Sequence, residues 1–227
     1  GAAALASAIG SLTEMKDLGL GGNEIGDAGA VALAPALGIM TQLQTLDLQR
    51  NQIGDEGAAA LAPALQAMTQ LEVLNLDYNH LGADGARALA PALAMMTKLK
   101  VLDLSSDCEL PLGANGAQAI APALQVMTQL EKLTLDENQI GAVGAAALAP
   151  ALGNMTQLQE LYLLRNEIGD DGAVALAPAL GKMTQLQTLD LEWNKIGDDG
   201  VLILSQCLTS MPHLRILHLD GNSIGAE

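Results

Sequence analysis

A segment spanning residues 43–54 recurs along the whole chain and limits what the chain can fold into. It reads Leu-Gln-Thr-Leu-Asp-Leu-Gln-Arg-Asn-Gln-Ile-Gly. Its eight copies begin at Met15, Leu43, Leu71, Leu99, Leu130, Leu158, Leu186 and Leu214. The interval is 28 residues, except that 31 residues separate the fourth copy from the fifth. Such a period is typical of a solenoid, in which each unit buries its apolar face against its neighbours, so we expect residues 1–227 to form a single domain.

Each copy has the pattern of a strand followed by a helix. Apolar and polar residues alternate over 46–49, which indicates a short strand with one buried face. Parallel strands are joined by long crossovers, usually helices, so we expect a helix after Gly54. Over 58–68 the apolar residues have helical spacing, and Asp55 stands where it can cap the first turn. The predicted fold class is therefore α/β, with parallel strands and helices in alternation.

Two residue types recur at fixed positions for structural reasons. A buried amide both donates and accepts hydrogen bonds, so a row of stacked asparagines can satisfy the backbone of a turn. The asparagines are Asn23, Asn51, Asn79, Asn138, Asn166, Asn194 and Asn222. Methionines at a fixed spacing are more typical of core filling than of a metal or cofactor site. The methionines are Met40, Met68, Met96, Met127, Met155, Met183 and Met211.

A proline recurs within the predicted helices. The prolines are Pro35, Pro63, Pro91, Pro122, Pro150 and Pro178. Proline in a helix interior lacks an N–H group and its ring clashes with the preceding turn, at a cost of about 3 kcal/mol. We therefore predict that each helix kinks at its proline, or splits there into a helix and a looser turn.

The pattern Leu-x-x-Leu-x-Leu-x-x-Asn-x-Ile-Gly, with Gly-Ala-x-Ala-Leu-Ala downstream, resembles the leucine-rich repeat family over essentially all 227 residues. The period of 28 residues and the helical crossover are similar to the ribonuclease-inhibitor-like class of that family. The resemblance implies a curved, horseshoe-shaped solenoid with the parallel sheet on the concave face and the helices on the convex face. It also implies binding of other proteins through the concave face and its rims.

Composition restricts the partners and the location of the protein. The formal net charge of −16 argues against a nucleic-acid partner and favours a basic one. No apolar run approaches the roughly 20 residues of a membrane span, and no signal peptide is visible, so no membrane partner is expected. Cys108 and Cys207 lie more than three repeats apart, which is too far for a disulfide. Both thiols are expected to be free and the protein to be cytoplasmic.

Two features depart from the regular pattern. The fourth copy is longer within 105–113, and Asp107 replaces the asparagine; because a carboxylate cannot donate, the amide row should be interrupted there. The insertion should bulge from one rim, either as a tolerated loop or as a binding loop formed by Asp107, Cys108 and Glu109. Both ends of the chain look cut within a repeat and lack dedicated polar caps, which favours end-to-end self-association.

The copies differ most at the outward strand positions and just after them, at the fourth, sixth and seventh residues after the start. All three aromatic residues of the chain lie there: Tyr78, Tyr162 and Trp193. Arg50 neighbours Tyr78 on the adjacent strand and Arg165 neighbours Trp193, so each pair can stack as a cation over a ring. Arg, Tyr and Trp dominate the binding energy of many interfaces, so these five residues are candidate partner-binding residues.

Acidic side chains surround these residues on the predicted concave face. The candidate acidic contacts are Asp47, Asp77, Asp103, Asp136, Asp190 and Glu192. No loop has calcium-binding spacing, so the sequence predicts a solvated acidic face that steers a basic protein, and no metal site. His218 neighbours Asp190 without an adjacent nucleophile; we assign it to the same partner-binding face and expect no catalytic residue and no cofactor.

Three functions remain open from the sequence. The first is a recognition module that binds a basic protein or peptide on an acidic, aromatic-containing concave face. The second is the regulatory arm of an enzyme system, similar to a GTPase activator or to the substrate-recognition part of a ligase. The third is a structural or self-assembling solenoid. The varied outward positions favour the first, and the chain itself is not expected to be an enzyme.

Overall fold

The computed structural model describes residues 1–107 and 109–225, within which eight short strands alternate with eight helices. The strands pair in parallel and in chain order to form one open sheet. They are β1 Asp17–Gly19, β2 Thr45–Asp47, β3 Val73–Asn75, β4 Val101–Asp103, β5 Lys132–Thr134, β6 Glu160–Tyr162, β7 Thr188–Asp190 and β8 Ile216–His218. Neighbouring strands are in register at the repeat interval, so Leu46 faces Leu74, and Leu102 faces Leu133 across the longer fourth unit.

The helices connect the strands and pack side by side. They are α1 Ala2–Ile9, α2 Gly26–Leu37, α3 Asp55–Ala67, α4 Ala83–Leu93, α5 Gly113–Leu124, α6 Gly141–Leu152, α7 Gly169–Leu180 and α8 Asp198–Leu208. The chain is a curved α/β solenoid with the sheet on its concave face and the helices on its convex face, as the sequence predicts. A strand together with the turn and helix that follow it is called a coil, numbered by its strand.

The core is a column of leucine and methionine side chains between the sheet and the helices. Leu46 and Leu161, in the middle of their strands, are completely buried. Met211 is 5% exposed and the other repeated methionines are completely buried, which confirms that they fill the core. Burying one such side chain contributes about 1.5–3 kcal/mol. Because each coil buries these residues against its neighbours, the coils stabilise one another.

The asparagines form a hydrogen-bonded row between coils, as predicted. The side-chain amide of Asn166 donates to the Leu135 carbonyl at 2.8 Å, and its oxygen accepts from the backbone N–H of Asn138 at 3.2 Å. Asn194 makes the equivalent pair of bonds one coil later. Each of these amides therefore satisfies backbone groups of a turn in the preceding coil, where no regular ladder is available.

The repeated prolines lie within unbroken helices. Helix α3 continues through Pro63, and the other helices that contain a proline also continue past it. The prediction that the helix splits at the proline is therefore wrong, whereas a kink stays a prediction. Every proline is exposed and close to the C-terminal end of its helix, so the missing N–H is on the solvent side. The turn closes past it, as where Gly38 donates to the Ala34 carbonyl beyond Pro35.

The aspartate at the start of a helix caps the next helix of the stack rather than its own. Asp55 Oδ1 accepts the backbone N–H groups of Gly82 and Gly85 at 2.9 and 2.6 Å, whereas α3 has no side-chain cap of its own. The prediction that Asp55 caps α3 is therefore wrong, because a residue one repeat further along the chain lies closer in space. We call this contact the aspartate clasp. The clasps are made by Asp27, Asp55, Asp170 and Asp198.

The clasp sets the backbone of the glycine at the helix start. The glycines Gly54, Gly82 and Gly197 receive a clasp and have extended backbones, with φ of −96°, −85° and −99°. In coils 3, 4 and 5 the clasp position holds Ala83, Ala114 and Ala142. The glycines that follow them, Gly113, Gly141 and Gly169, have φ of 60°, 65° and 62°. Their N–H groups donate to the backbone carbonyl of the asparagine in the next coil. Glycine serves both arrangements because it adopts either sign of φ.

The described residues also bear on the expectations about free cysteines and about a membrane span. Cys207 in α8 is a buried free thiol, and burial raises its pKa. Cys108 lies outside the described residues, so a free thiol there stays a prediction. No helix within 1–107 or 109–225 combines the length and the apolar character that a bilayer crossing requires.

Candidate functional site

The outward positions form three parallel rows on the concave face, which we call the concave rows. Row 1, at the end of each strand, is Gly19, Asp47, Asn75, Asp103, Thr134, Tyr162, Asp190 and His218. Row 2 is Gly21, Gln49, Asp77, Ser105, Asp136, Leu164, Glu192 and Asp220. Row 3 is Gly22, Arg50, Tyr78, Ser106, Glu137, Arg165, Trp193 and Gly221. The rows bring every partner-binding residue predicted for the concave face onto one surface.

The aromatic side chains lie on this surface and not in the core. Tyr78 is 41% exposed and Trp193 is 54% exposed, while Tyr162 is partly buried. The guanidinium carbon of Arg50 is 4.8 Å from the centroid of the Tyr78 ring, and that of Arg165 is 5.8 Å from the Trp193 ring. Both stacks match the sequence-based expectation. They hold the rings and the cations in fixed positions on the surface.

A third stack was missed from the sequence. The Lys132 ammonium is 4.9 Å from the Tyr162 ring centroid and 3.2 Å from the Glu160 carboxylate. The Tyr162 hydroxyl donates to Glu160 at 3.2 Å. The strand register held the signal, since Lys132 pairs with Glu160 and lies beside the strand that ends in Tyr162. The three side chains form a compact cluster at the centre of the face.

Row 3 lies on an unusual backbone. Five of its residues have left-handed φ values between 51° and 60°: Arg50, Tyr78, Glu137, Arg165 and Trp193. A left-handed backbone costs a residue other than glycine about 1–2 kcal/mol. In the first and last coils the row holds glycines, which adopt this region freely, at Gly22 and Gly221. The chain therefore places large side chains where glycine would be more stable. The left-handed backbone is shared by Gln52, Gln139, Glu167 and Lys195 outside the rows, so row 3 is distinguished by the arginine, tyrosine and tryptophan side chains that it presents from this turn.

Trp193 is held from both sides. Arg165 stacks on one side, and a Cβ at Gly221 would lie 2.4 Å from the indole ring, so the ring rests against the glycine backbone. Arg165 also lies 3.6 Å from the Glu137 carboxylate of the preceding coil. Row 3 thus presents an ordered series of charged and aromatic groups across coils 5 to 7, which ends against the Gly221 backbone of coil 8.

The row 1 aspartates shape the turns that present row 2. One oxygen of Asp47, of Asp103 and of Asp190 accepts the backbone N–H two residues later, at 3.0, 3.0 and 2.9 Å. This side-chain turn is a structural role that the sequence analysis did not assign to them. The second carboxylate oxygen accepts from the Gln49 side chain at 3.0 Å in Asp47, and it lies 3.4 Å from His218 Nδ1 in Asp190.

Thr134 and Tyr162 occupy row 1 in coils 5 and 6, where the row 2 N–H groups donate instead to Ser105 and Asp136 of the preceding coils. Asp136 Oδ1 accepts the Leu164 N–H of the next coil at 2.7 Å, and its own N–H donates to Ser105 Oγ at 3.2 Å. Burial raises the pKa of Asp136 to about 7, and nearby carboxylates add to the effect against the opposing Leu164 hydrogen bond.

The pKa values of Asp77 and Asp103 on this surface are also raised above the usual range of an aspartate. Burial raises the pKa of Asp77 to about 6, with Asp103 adding to the rise and Arg50 opposing it. Burial raises the pKa of Asp103 as well. A cation that binds among these groups favours their ionised forms, so cation binding here is coupled to proton release.

His218 joins two carboxylates at one end of the concave rows. Its Nδ1 lies 3.4 Å from Asp190 Oδ2, as expected from the sequence, and 3.5 Å from Glu192 Oε1. The three groups lie mutually within 4.8 Å.

The inserted loop of coil 4 brings its predicted rim residues together with a residue that the sequence analysis missed. His80 Nε2 in coil 3 lies 3.0 Å from Asp107 Oδ2 and 3.5 Å from Glu109 Oε2. Cys108, the remaining predicted rim residue, lies outside the described residues. His80 follows Asn79, the residue that occupies the position of Asp107 one repeat earlier, so the sequence places it beside Asp107 on the neighbouring coil. The three inserted residues hide which loop side chains contact it.

Comparisons with known proteins concern the repeats and the fold. The family model described as "Leucine Rich repeat" matches residues 12–34, 40–62, 67–90, 126–149, 154–177, 182–205 and 210–227. No curated protein matches the sequence. The chain is similar to the solved structure of a TDR receptor, at 17% identity and a TM-score of 0.45, covering 98% of this chain and 46% of that one. An internalin (inlF) from Listeria monocytogenes str. 4b F2365 is 18% identical with a TM-score of 0.32, covering 100% of this chain and 89% of that one.

Proposed function

Because this chain belongs to the leucine-rich repeat family, whose members are generally scaffolds for protein–protein interaction and typically not enzymes, we propose that it is a recognition module for a basic protein or peptide. The partner binds on the concave rows. Its lysine and arginine side chains lie among the row 1 and row 2 carboxylates, and its apolar groups contact Tyr78, Tyr162 and Trp193.

The observation that carries this proposal is the set of stacked, exposed side chains that row 3 presents. Arginine, tyrosine and tryptophan stand in a left-handed conformation that glycine adopts at lower free energy. Their rings and cations are ordered by stacking, at 4.8 Å for Arg50 over Tyr78 and 5.8 Å for Arg165 over Trp193. Ordered, exposed side chains of these types lose little conformational entropy on binding, which is why they dominate interface energies.

The charge of the surface supports a basic partner. Six carboxylate residues lie around the aromatic groups: Asp47, Asp77, Asp103, Asp136, Asp190 and Glu192. Together with the net charge of −16, they attract a cationic partner and raise its association rate, an effect that salt screens.

We further infer a place within the family. The 28-residue register between strands and the helix in every described crossover favour the ribonuclease-inhibitor-like class. The eight coils bury a continuous core and are proposed to act as one domain. The free thiol of Cys207 is consistent with a cytoplasmic location, which stays a proposal.

The test begins with a peptide library displayed against the immobilised full chain. We expect the selected peptides to be rich in lysine and arginine. Calorimetry with the best peptide then compares the wild type with the triple variant Tyr162→Ala, Arg165→Ala and Trp193→Ala. Loss of several interface anchors should weaken binding by about 100-fold or more.

The matched control removes side chains from the convex face instead. Val143→Ala and Val174→Ala alter exposed helix positions, so they should leave the affinity unchanged. Selection of peptides without basic residues, or equal affinity for the wild type and the triple variant, would overturn the proposal.

A further inference from the structure

Three metal-ligating side chains meet at the rim of coils 3 and 4, outside the concave rows. His80 Nε2 lies 3.0 Å from Asp107 Oδ2 and 3.5 Å from Glu109 Oε2. The three ligand atoms lie mutually within 4.8 Å. The Glu109 side chain is 76% exposed, so the cluster is open to solvent on one side.

These separations fit a shared metal ion. Imidazole nitrogen and carboxylate oxygen bind Zn²⁺ at about 2.0–2.2 Å. Two such ligands are then about 3.0 Å apart at right angles and about 3.4 Å apart in a tetrahedron. The two distances from His80 Nε2, 3.0 and 3.5 Å, lie close to this interval, and the two carboxylate oxygens lie within 4.8 Å of each other. Small side-chain rotations, of which the exposed Glu109 is capable, bring all three atoms to a shared ion.

The position of Asp107 gives an independent reason for a ligand. In the seven other coils an asparagine stands at this place in the turn. An asparagine there binds the backbone of the preceding coil, as Asn166 does with the Leu135 carbonyl. A carboxylate cannot donate, so Asp107 gives up that bond. Instead its Oδ1 accepts the Glu109 N–H at 3.0 Å, which fixes the carboxylate and leaves Oδ2 directed at His80.

We propose that His80, Asp107 and Glu109 bind one divalent transition-metal ion, with Zn²⁺ as the representative. A neutral imidazole and two carboxylates supply a charge that a divalent cation balances. The nitrogen ligand favours zinc, cobalt or nickel over calcium and magnesium, which prefer oxygen ligands alone. The Asp107–Glu109 backbone bond orients the ligands as outer-shell bonds do at other metal sites. Water completes the coordination on the exposed side.

The ion would join two neighbouring coils where the asparagine row departs from its pattern. His80 belongs to coil 3, whereas Asp107 and Glu109 belong to the inserted loop of coil 4. Metal binding should therefore stabilise the fold as well as the loop, since it favours the folded state by mass action.

The experiment titrates the metal-free full chain with Zn²⁺ in a calorimeter and with Co²⁺ followed by absorption. We expect a saturable site whose affinity falls by about 10-fold or more in His80→Gln and in Asp107→Asn. Asp107→Asn introduces the residue found in the other coils, so the fold should be retained and any loss of binding reports on the ligand. Thermal unfolding with and without Zn²⁺ gives a second readout, and the metal-dependent rise in Tm should disappear in both variants.

Three further variants separate this site from other ligands in the chain. His213→Gln changes an exposed histidine outside both histidine–carboxylate clusters and should leave binding unchanged. His218→Gln removes the Asp190 and Glu192 cluster as a source of binding, and Cys108→Ser removes the thiol of the loop. The proposal is overturned if the wild type shows no saturable binding. It is equally overturned if binding survives in His80→Gln and Asp107→Asn, and a loss of binding in either of the last two variants would then identify the site responsible.

Discussion

Trp193 occupies a backbone conformation that glycine adopts more easily, with φ of 53°. Replacing the indole removes the stack with Arg165, but the residue that replaces it decides how much strain remains. We predict that Trp193→Gly is more stable than Trp193→Ala by about 1 kcal/mol, since only glycine is free of the left-handed penalty. Urea unfolding measures the difference. At Gln44, which is outside the left-handed set, the order should be reversed, with glycine less stable than alanine.

Asp136 should make the stability of the protein depend on pH. Its pKa is about 7 in the folded state and near 4 when unfolded, so the folded state binds the proton more tightly. The contribution of Asp136 to the free energy of unfolding is fully present below about pH 4 and is lost as the pH rises towards 7. We predict that Asp136→Asn, which can still accept from Leu164, flattens this decline and is more stable at about pH 8 by about 1–2 kcal/mol. Asp171→Asn, on an exposed helix position, should leave the profile unchanged when urea unfolding is repeated across this range.

Asp136, together with Asp77, should also make the affinity for a basic partner depend on pH. Because Asp77 and Asp136 hold protons with pKa values of about 6 and about 7, a basic peptide must displace them at lower pH. We predict that affinity for such a peptide rises between about pH 5 and pH 8 and that binding releases protons. Calorimetry in buffers of different ionisation enthalpy measures the release. Equal affinity at both ends of the range would contradict the coupling.

At this scale the sequence predicts which side chains face outwards but not what they touch. The alternation along each strand places Tyr78, Trp193 and their arginines correctly, because side-chain direction in a strand has a period of two. The turn bonds of the row 1 aspartates and the meeting of His80 with Asp107 depend on where the chain goes after the strand ends. No periodicity describes that path, so these contacts were missed.

The aspartate clasp governs how each helix begins. Asp170 Oδ1 accepts the N–H groups of Gly197 and Gly200 at 2.6 and 3.0 Å. We predict that Asp170→Ala costs about 1 kcal/mol, as loss of a helix cap does, because Gly197 can adopt the left-handed alternative and limit the loss. Asp171→Ala removes a neighbouring charge from the same first turn without a clasp and serves as the control in denaturant unfolding.

The reciprocal change should add a clasp. Ala142 stands where Asp170 stands one coil later, and the next helix begins at Gly169 with φ of 62°. We predict that Ala142→Asp stabilises the protein by about 0.5–1 kcal/mol and turns Gly169 to an extended backbone. Unfolding measures the gain, and the amide resonance of Gly169 reports the change of conformation. A loss of stability with unchanged Gly169 would contradict this account.

The elements themselves follow from the sequence, whereas their ends do not. Helical spacing over 58–68 locates α3, but proximity in sequence predicts that Asp55 caps its own helix, and it cannot predict a partner 27 residues away. In the stack, the Asp55 carboxylate accepts the Gly82 N–H at 2.9 Å, whereas no side chain of its own first turn caps α3. Similarly, the expected split at Pro63 overestimated a cost that an exposed position near the helix end avoids.

On the scale of the whole molecule, the asparagine row links each coil to its neighbour through buried hydrogen bonds, as from Asn166 to the Leu135 carbonyl. We predict that Asn166→Ala costs about 3–5 kcal/mol, because the Leu135 carbonyl and the Asn138 N–H both lose their partner inside the protein. It should also make unfolding less cooperative, since each coil depends on the next. Hydrogen exchange of the strands on either side measures both effects. Asn154→Ala, the same change at an exposed site, should cost less than about 0.5 kcal/mol.

The architecture is the level at which the sequence was most informative. The fixed interval between Leu43, Leu71 and the later copies predicts both the parallel pairing and its register. Every unit buries the same apolar positions against its neighbours, so equivalent residues lie side by side. The concave rows follow from that register. The conformation of the inserted loop near Asp107 does not follow from the register, because its three extra residues have no equivalent in the neighbouring coils.

The clasps are not spread evenly along the arc. They join coils 1 to 2, 2 to 3, 6 to 7 and 7 to 8, whereas alanines leave the three central junctions without them. The junctions between coils 4 and 5 and between coils 5 and 6 are joined instead by the N–H groups of Gly113 and Gly141, which donate to backbone carbonyls of the next coil. Because no side chain clasps the helix starts there, we expect the solenoid to bend most easily in this central part. Asp136 and Tyr162 lie in this central part. A rigid partner that binds these residues should therefore change the curvature of the solenoid at its own binding site.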